Sequence, residues 1–353
     1  EQYSEGMVRR GHRVRVLVSA IDDAETREVT DTGVELWRCA RHGELASVPL
    51  CPSLPAAVRR SMVDFDPEVV HLQLPNPLAA ACWLAAGRAR PLVVTYHSDI
   101  VRQQGLLRLW SPWRDRVLAR ARYIHTTSEA LIQSSPVLAR FPDRCRAIPP
   151  GIDPDRWTGP DAEDVAAWGE RIGRDAFLFV GRLVYYKGLD VLLDSIRGTD
   201  LRLAICGDGP LRAEIEHLAA GLGDSVVFLG DVDADRMPAL FAACRGFVLP
   251  SVAPSETFGV VQLEAMAAGL PLVVSKASAG VASVHEGADS ALLVEPGSPE
   301  ALRTAMLRVR DEPGLATRLV SAGIELVRSR YELEDRLDQL EELLVSAGRS
   351  TAA

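Results

Sequence analysis

Between Gly246 and Ser275 the chain reads as a short apolar run closed by Pro250, a polar loop, a helix-like stretch, and a second apolar run after Gly269. That order is strand, loop, helix, strand, and it commits both strands to one parallel sheet. Glu256 and Glu264 stand eight positions apart at the two ends of the loop-into-helix transition. The helix is expected to start near Thr257 to Gly259, with Ser255 as its N-cap and its first free N–H groups at the mouth of the sheet, where an anion is stabilised. Glu256 at such a mouth is not expected in the core. Glu264, about two turns on by the ~3.6-residue period, shares nearly the same face and reaches the same ligand. Two acceptor carboxylates beside an anion-binding turn suit a sugar nucleotide: a carboxylate for hydroxyls, backbone amides for a diphosphate. A Glu serving the helix dipole beside a solvated Glu accounts for the same residues equally well.

The segment PSVAPSETFGVVQLEAMAAGLPLVVS resembles the E-x7-E signature of the retaining GT-B glycosyltransferases of family GT4, and its AMAAGLPLVVS is similar to that family's continuation. The resemblance implies that Glu256 lies at the donor sugar and diphosphate and that Glu264 binds the nucleotide ribose. Upstream, Phe177 to Gly188 gives a strand, a glycine turn and a helix start, with Arg182 and Lys187 converging at the strand's carboxyl end. Two cations there can hold a diphosphate and stabilise its charge as it leaves; isolated surface cations are the plainer alternative. The pattern Gly181-Arg182-Leu183 to Lys187-Gly188 is similar to the GT4 phosphate-binding motif. Lysine occurs only at Lys187 and Lys276 in a chain rich in arginine, which fits a need for a compact ammonium at Lys187. The turns Gly207-Asp208-Gly209-Pro210 and Gly230-Asp231-Val232 repeat the strand-and-glycine logic; in the family the first lies near the donor and the second meets the nucleobase through its backbone. Asp231-Val232-Asp233 also spells D-x-D, a metal-diphosphate motif of another glycosyltransferase fold. Asp233 is instead read as the N-cap of a helix from Asp235 to Ala243, and no metal or other cofactor is called for.

The chain has 353 residues, enough for two domains, and a net charge of -9 without long charge runs, which argues against nucleic acid as a partner. Its six cysteines are scattered without C-x-x-C or close Cys/His pairing, as in a reduced, cytoplasmic chain. No apolar stretch approaches the ~20 residues that cross a bilayer.

The first half opens on a helix stopped by Gly11 and a strand from Arg13 to Val18, similar to a GT4 segment that follows an opening strand and a Gly-Gly turn. The N-terminal domain is therefore expected to lack its first strand and Gly-rich turn, with a gap or rearranged pairing beside the Arg13 strand. Strands Val34 to Cys39, Val69 to Leu74 and Leu92 to Tyr96 then alternate with helices near Leu54 to Phe65 and Leu78 to Ala86. Two strand ends carry polar residues. His71 fits core packing or backbone hydrogen bonding as well as an acceptor-side role. His97, in Tyr96-His97-Ser98-Asp99, resembles the histidine loop by which GT4 enzymes approach the donor hexose, and Asp99 serves either the acceptor or the next helix as a cap. The stretch Arg102 to Arg122 mixes arginines with apolar residues. Arg108, Trp110, Trp113 and Arg116 are read as facing an anionic membrane surface, against the alternative of a sheet-covering helix with a solvated basic side.

The reading is α/β: two Rossmann-like domains facing across a cleft, the GT-B arrangement. An acceptor-side domain spans 1–150, a nucleotide-sugar-binding domain 151–330, and a helix over 331–353 returns toward the first. Arg182, Lys187, Glu256 and His97 are assigned to catalysis. Gly181, Asp208, Gly209, Asp231, Val232, Thr257, Phe258, Gly259 and Glu264 are assigned to the donor. The resemblance is to bacterial mannosyl- or rhamnosyltransferase-like members, and it implies retaining transfer of a hexose, first of all mannose from GDP-mannose, to a glycan or lipid-linked acceptor. A nucleotide-sugar 2-epimerase or a non-enzymatic donor-binding remnant are the rivals.

Overall fold

The computed structural model describes residues 2–45, 48–87, 90–99, 104–173 and 175–349. The chain divides into two compact units, one comprising Glu1–Pro149 with Glu334–Ala353 and the other Pro150–Leu333.

In the first unit, β1 (Arg15–Ser19), β2 (Thr26–Val29) and β3 (Glu35–Cys39) form a three-stranded sheet in the order β1-β3-β2. β1 runs parallel to β3, and β2 antiparallel to it. The exposed and polar β2, TREV, carries no apolar periodicity and was not expected. β4 (Glu44–Leu45) and β5 (Val48–Pro49) make a small hairpin. A second sheet, all parallel, is built from β6 (Val70–Leu74), β7 (Leu92–Tyr96), β8 (Tyr123–Thr126) and β9 (Cys145–Ala147) in sequence order. Among the described residues, β1 and β6 are edges of separate sheets, so pairing is interrupted between them. Every residue of β7 is buried, as befits a central parallel strand covered on both faces. The helix Gln2–Arg9 and the helix Leu333–Arg349 belong to this unit from Glu334 onward: Arg10 pairs with Asp338 at 2.7 Å, and Leu337 packs on Gly6.

The second unit is one six-stranded parallel sheet of β10 (Ala176–Val180), β11 (Arg202–Cys206), β12 (Val226–Gly230), β13 (Gly246–Leu249), β14 (Leu272–Ser275) and β15 (Ala291–Val294). Its order, β12-β11-β10-β13-β14-β15, reverses direction between β10 and β13, the point at which open α/β sheets bind ligands beyond their carboxyl ends. Alternate residues of β10 point into different cores: Leu178 joins Ala204 and Phe247 on one face, while Phe177 and Phe179 join Leu203, Ile205 and Val248 on the other. Both faces are covered, hence the unbroken apolar runs.

Three local expectations change. The helix after β13 begins only at Val261 and ends at Ala267, with Val260 rather than Ser255 at its N-cap. Gly259 has φ +70, a left-handed conformation that interrupts a helix, so Thr257, Phe258 and Gly259 are loop residues. Asp233 does not cap the next helix, which spans Met237–Ala242 with Arg236 at its N-cap and no side-chain cap; the Asp233 carbonyl instead accepts from the Arg236 N–H at 3.0 Å. No helix among the described residues is long and apolar enough to cross a membrane.

Candidate functional site

A cavity of about 680 Å³ opens at the carboxyl ends of β10, β11 and β12. Gly181 and Arg182 follow β10, Asp208 and Gly209 follow β11, and Asp231 and Val232 follow β12; all six line it, with Glu264 from the helix after β13. The turns can converge because glycine lets them: a Cβ on Gly207 would lie 2.3 Å from the Gly181 carbonyl oxygen. Arg182 is exposed and makes no ion pair among the described residues. Burial pushes the Glu264 carboxyl up from its ordinary pKa, and Arg156 pulls it down. The sequence reading missed Arg156, Trp157, Cys206 and Met237 on the same walls. The first two lie in Pro150 to Pro160, whose Gly, Asp and Pro content reads as a linker between the domains, and nothing in their spacing announces a ligand.

Lys187 and Glu256 are brought together, but not as free groups on a wall. Lys187 Nζ and Glu256 Oε2 are 2.5 Å apart, with both side chains only 9% exposed, and the Ser251 hydroxyl donates to the same oxygen at 2.9 Å. The expectation that Glu256 stays out of the interior is corrected: it is buried, and an ammonium and a hydroxyl satisfy one of its carboxylate oxygens. Ser255, the expected N-cap, shares a hydrogen bond with the Tyr185 hydroxyl at 3.0 Å. Phe258, expected to meet the donor through the backbone N–H groups of the helix start, turns its side chain inward. Its ring is buried and meets Tyr331 edge-on with centroids 6.0 Å apart. The other lysine, Lys276, pairs with exposed Glu295 at the surface.

In the first unit, His71 and Gln73 on β6, Thr95 on β7 and His125 on β8 share one face and form a continuous row. His125 Nε2 donates to the Ile148 carbonyl at 2.8 Å, Thr95 Oγ1 lies 2.9 Å from His125 Nδ1, and His71 Nε2 lies 2.6 Å from Thr95 Oγ1. Gln73 joins His71 at 3.3 Å and His97 Nε2 at 2.7 Å. Burial lowers the pKa of His71 to about 3, with smaller pushes from His125 and His97, and lowers that of His125 as well. His71 thus belongs to a hydrogen-bonded row in which burial favours its neutral imidazole. His97 stands exposed at the end of the row, and partial burial lowers its pKa. Asp99 accepts from the Tyr96 hydroxyl at 2.7 Å and from the Ser135 hydroxyl at 3.1 Å, so one oxygen of its carboxylate is engaged inside the fold.

The basic segment forms the helix Gln104–Arg120. Trp110 is buried in the sheet core, which corrects its membrane-facing assignment, and Arg114 is buried against Asp115 at 2.9 Å. Trp113 and Arg116 are exposed; the side chain of Arg108 lies outside the described residues.

Two family descriptions divide the chain between them: Glycosyltransferase Family 4 matches residues 1–156, and Glycosyl transferases group 1 matches residues 161–326. A D-rhamnosyltransferase of Pseudomonas aeruginosa is 37% identical over 70% of this chain and 65% of its own length. The O-antigen chain mannosyltransferase C of Escherichia coli is 34% identical over 86% of this chain and 81% of its own. A phosphatidyl-myo-inositol mannosyltransferase of Mycobacterium leprae is 31% identical over 94% and 87%. In fold, the chain is similar to the sucrose-phosphate synthase of Thermosynechococcus elongatus, with a TM-score of 0.83 at 23% identity, covering 99% of this chain and 92% of that one.

Proposed function

This chain belongs to glycosyltransferase family 4, the glycosyl transferases of group 1, and is a hexosyltransferase serving a glycan or lipid acceptor; from that premise we propose that its second unit holds the donor in the cavity beyond β10, β11 and β12. The convergence of Arg182, Asp208, Asp231 and Glu264 on that cavity carries the reading. Arg182, beside the Gly181 and Gly207 turns, meets the diphosphate as a charge-assisted donor, and Glu264 accepts from ribose hydroxyls. Glu256, held by Lys187 and Ser251, orients the hexose from a fixed position, and Lys187 contributes positive charge near the leaving diphosphate as the bond to the hexose breaks. The acceptor hydroxyl attacks from the face the diphosphate leaves, the diphosphate takes its proton, and configuration is retained. GDP-mannose is the first donor to try, since the O-antigen and inositol-lipid relatives are named as mannosyltransferases.

The test is a transfer assay with GDP-mannose and other nucleotide hexoses, with and without a lipid-linked saccharide. Acceptor-dependent release of nucleoside diphosphate, with an α-linked product, is the expected result. Release without an acceptor, or conversion of the donor to its 2-epimer, would contradict it.

A membrane surface is the second reading for the helix Gln104–Arg120, supported by the exposed Trp113, Arg116 and Arg120 on a helix whose other side is core. Each such arginine contributes about 1 kcal/mol at an anionic surface. Vesicles of anionic lipid should therefore bind the protein in a salt-sensitive way that Arg116→Glu weakens, and equal binding to neutral vesicles would remove the reading.

A further inference from the structure

The loop that carries Glu256 has no regular structure ahead of Val261, yet side chains from elsewhere hold two of its carbonyls. The Ser278 hydroxyl donates to the Glu256 carbonyl at 2.6 Å, and the Gln262 amide donates to the Phe258 carbonyl. Gln262 is fully buried and lies between the two glutamates; its Oε1 is 2.8 Å from His285 Nε2, and His285 Nδ1 is 2.7 Å from the hydroxyl of buried Ser290. One end of this row fixes every proton in it. A carbonyl only accepts, so the Gln262 amide presents its NH₂ to Phe258 and its oxygen to His285. His285 therefore carries its proton on Nε2, and Nδ1 accepts from Ser290. Burial, which lowers the His285 pKa to about 4, keeps the ring neutral at ordinary pH.

A trans peptide points its C=O and N–H in opposite directions. With the Glu256 and Phe258 carbonyls tied to Ser278 and Gln262, the N–H groups of Thr257 and Gly259 are turned away from those side chains, and neither has a backbone acceptor among the described residues.

We propose that His285, backed by Ser290, is a positioning residue for hexose transfer: through Gln262 it sets the peptide orientation of the Glu256 loop, and with it the direction in which the Thr257 and Gly259 amides meet a diphosphate. The proposal rests on the reading of this loop as part of the donor site. It assigns His285 no contact with the donor.

Three variants test it: His285→Phe removes the hydrogen bonds and keeps the bulk, His285→Gln keeps a donor for Gln262, and Ser290→Ala removes only the far partner. GDP affinity and the kcat for hexose transfer are measured on protein of known folded fraction. His285→Phe should lower kcat roughly 10- to 100-fold and weaken GDP binding, His285→Gln should recover most of the loss, and Ser290→Ala should fall between. Should His285→Phe fail to fold, the other two decide. The long-range ¹⁵N–¹H spectrum of the wild type should show His285 protonated at Nε2. An Nδ1–H tautomer would overturn the proposal, as would variants that melt earlier yet keep kcat and GDP affinity per folded molecule. Wild-type protein that binds no GDP and transfers no hexose would instead remove the donor-site reading, and the inference with it.

Discussion

Lys187 and Glu256 were legible as chemistry and not as geometry. Their spacing from glycine and from Glu264 placed them at strand ends, but no sequence pattern announces that residues 69 positions apart meet at 2.5 Å in a buried pair. That pairing changes what a substitution does. Lys187→Ala leaves the Glu256 carboxylate buried with the Ser251 hydroxyl as its remaining donor, and breaking such a pair costs about 3–5 kcal/mol. Replacing both, as Lys187→Met with Glu256→Leu, should restore most of the stability while abolishing transfer. Chemical denaturation of the single and double variants checks this; a Lys187→Ala loss under about 1 kcal/mol would mean that the pair is well solvated. Arg182 stands apart as the exposed cation of the same motif, and so as the cleaner probe of binding.

At the scale of elements, strands that are apolar throughout were read close to where they lie, because a parallel strand covered on both faces writes an unbroken run: the Leu92 to Tyr96 strand matches β7. β2 was missed because an exposed strand pairing antiparallel at an edge needs no apolar face. Ser255 as an N-cap candidate puts the helix start near Thr257 to Gly259, whereas the course of this loop is set by Gly259 at φ +70 and by side chains of the later segment from Ser278 to Ser290, remote in sequence. Sheet position also separates the strands in stability. Among the described residues β1 pairs on one side, with β3, while β11 is paired on both sides, with β10 and β12. Native-state hydrogen exchange should find the amides of Leu203–Cys206 protected well beyond those of Val16–Ser19. Equal protection would show β1 to be paired on its second edge in solution.

For the whole molecule, the family and the two-unit α/β organisation follow from motifs spread over both halves, and they carry hexose transfer as the activity. What the motifs do not carry is the division of labour inside the cavity, where Arg156 and Trp157 from the linker stand beside the expected strand-end residues. On the proposed reading, the nucleoside diphosphate of the donor binds in this cavity. Titration calorimetry of the full chain with GDP, wild type against Arg182→Ala, tests it most directly. A charge-assisted bond to phosphate contributes about 1.5–3 kcal/mol, so the variant should bind roughly 10- to 150-fold more weakly with its stability unchanged. Equal affinity of the two proteins for GDP would place the diphosphate elsewhere and contradict the account.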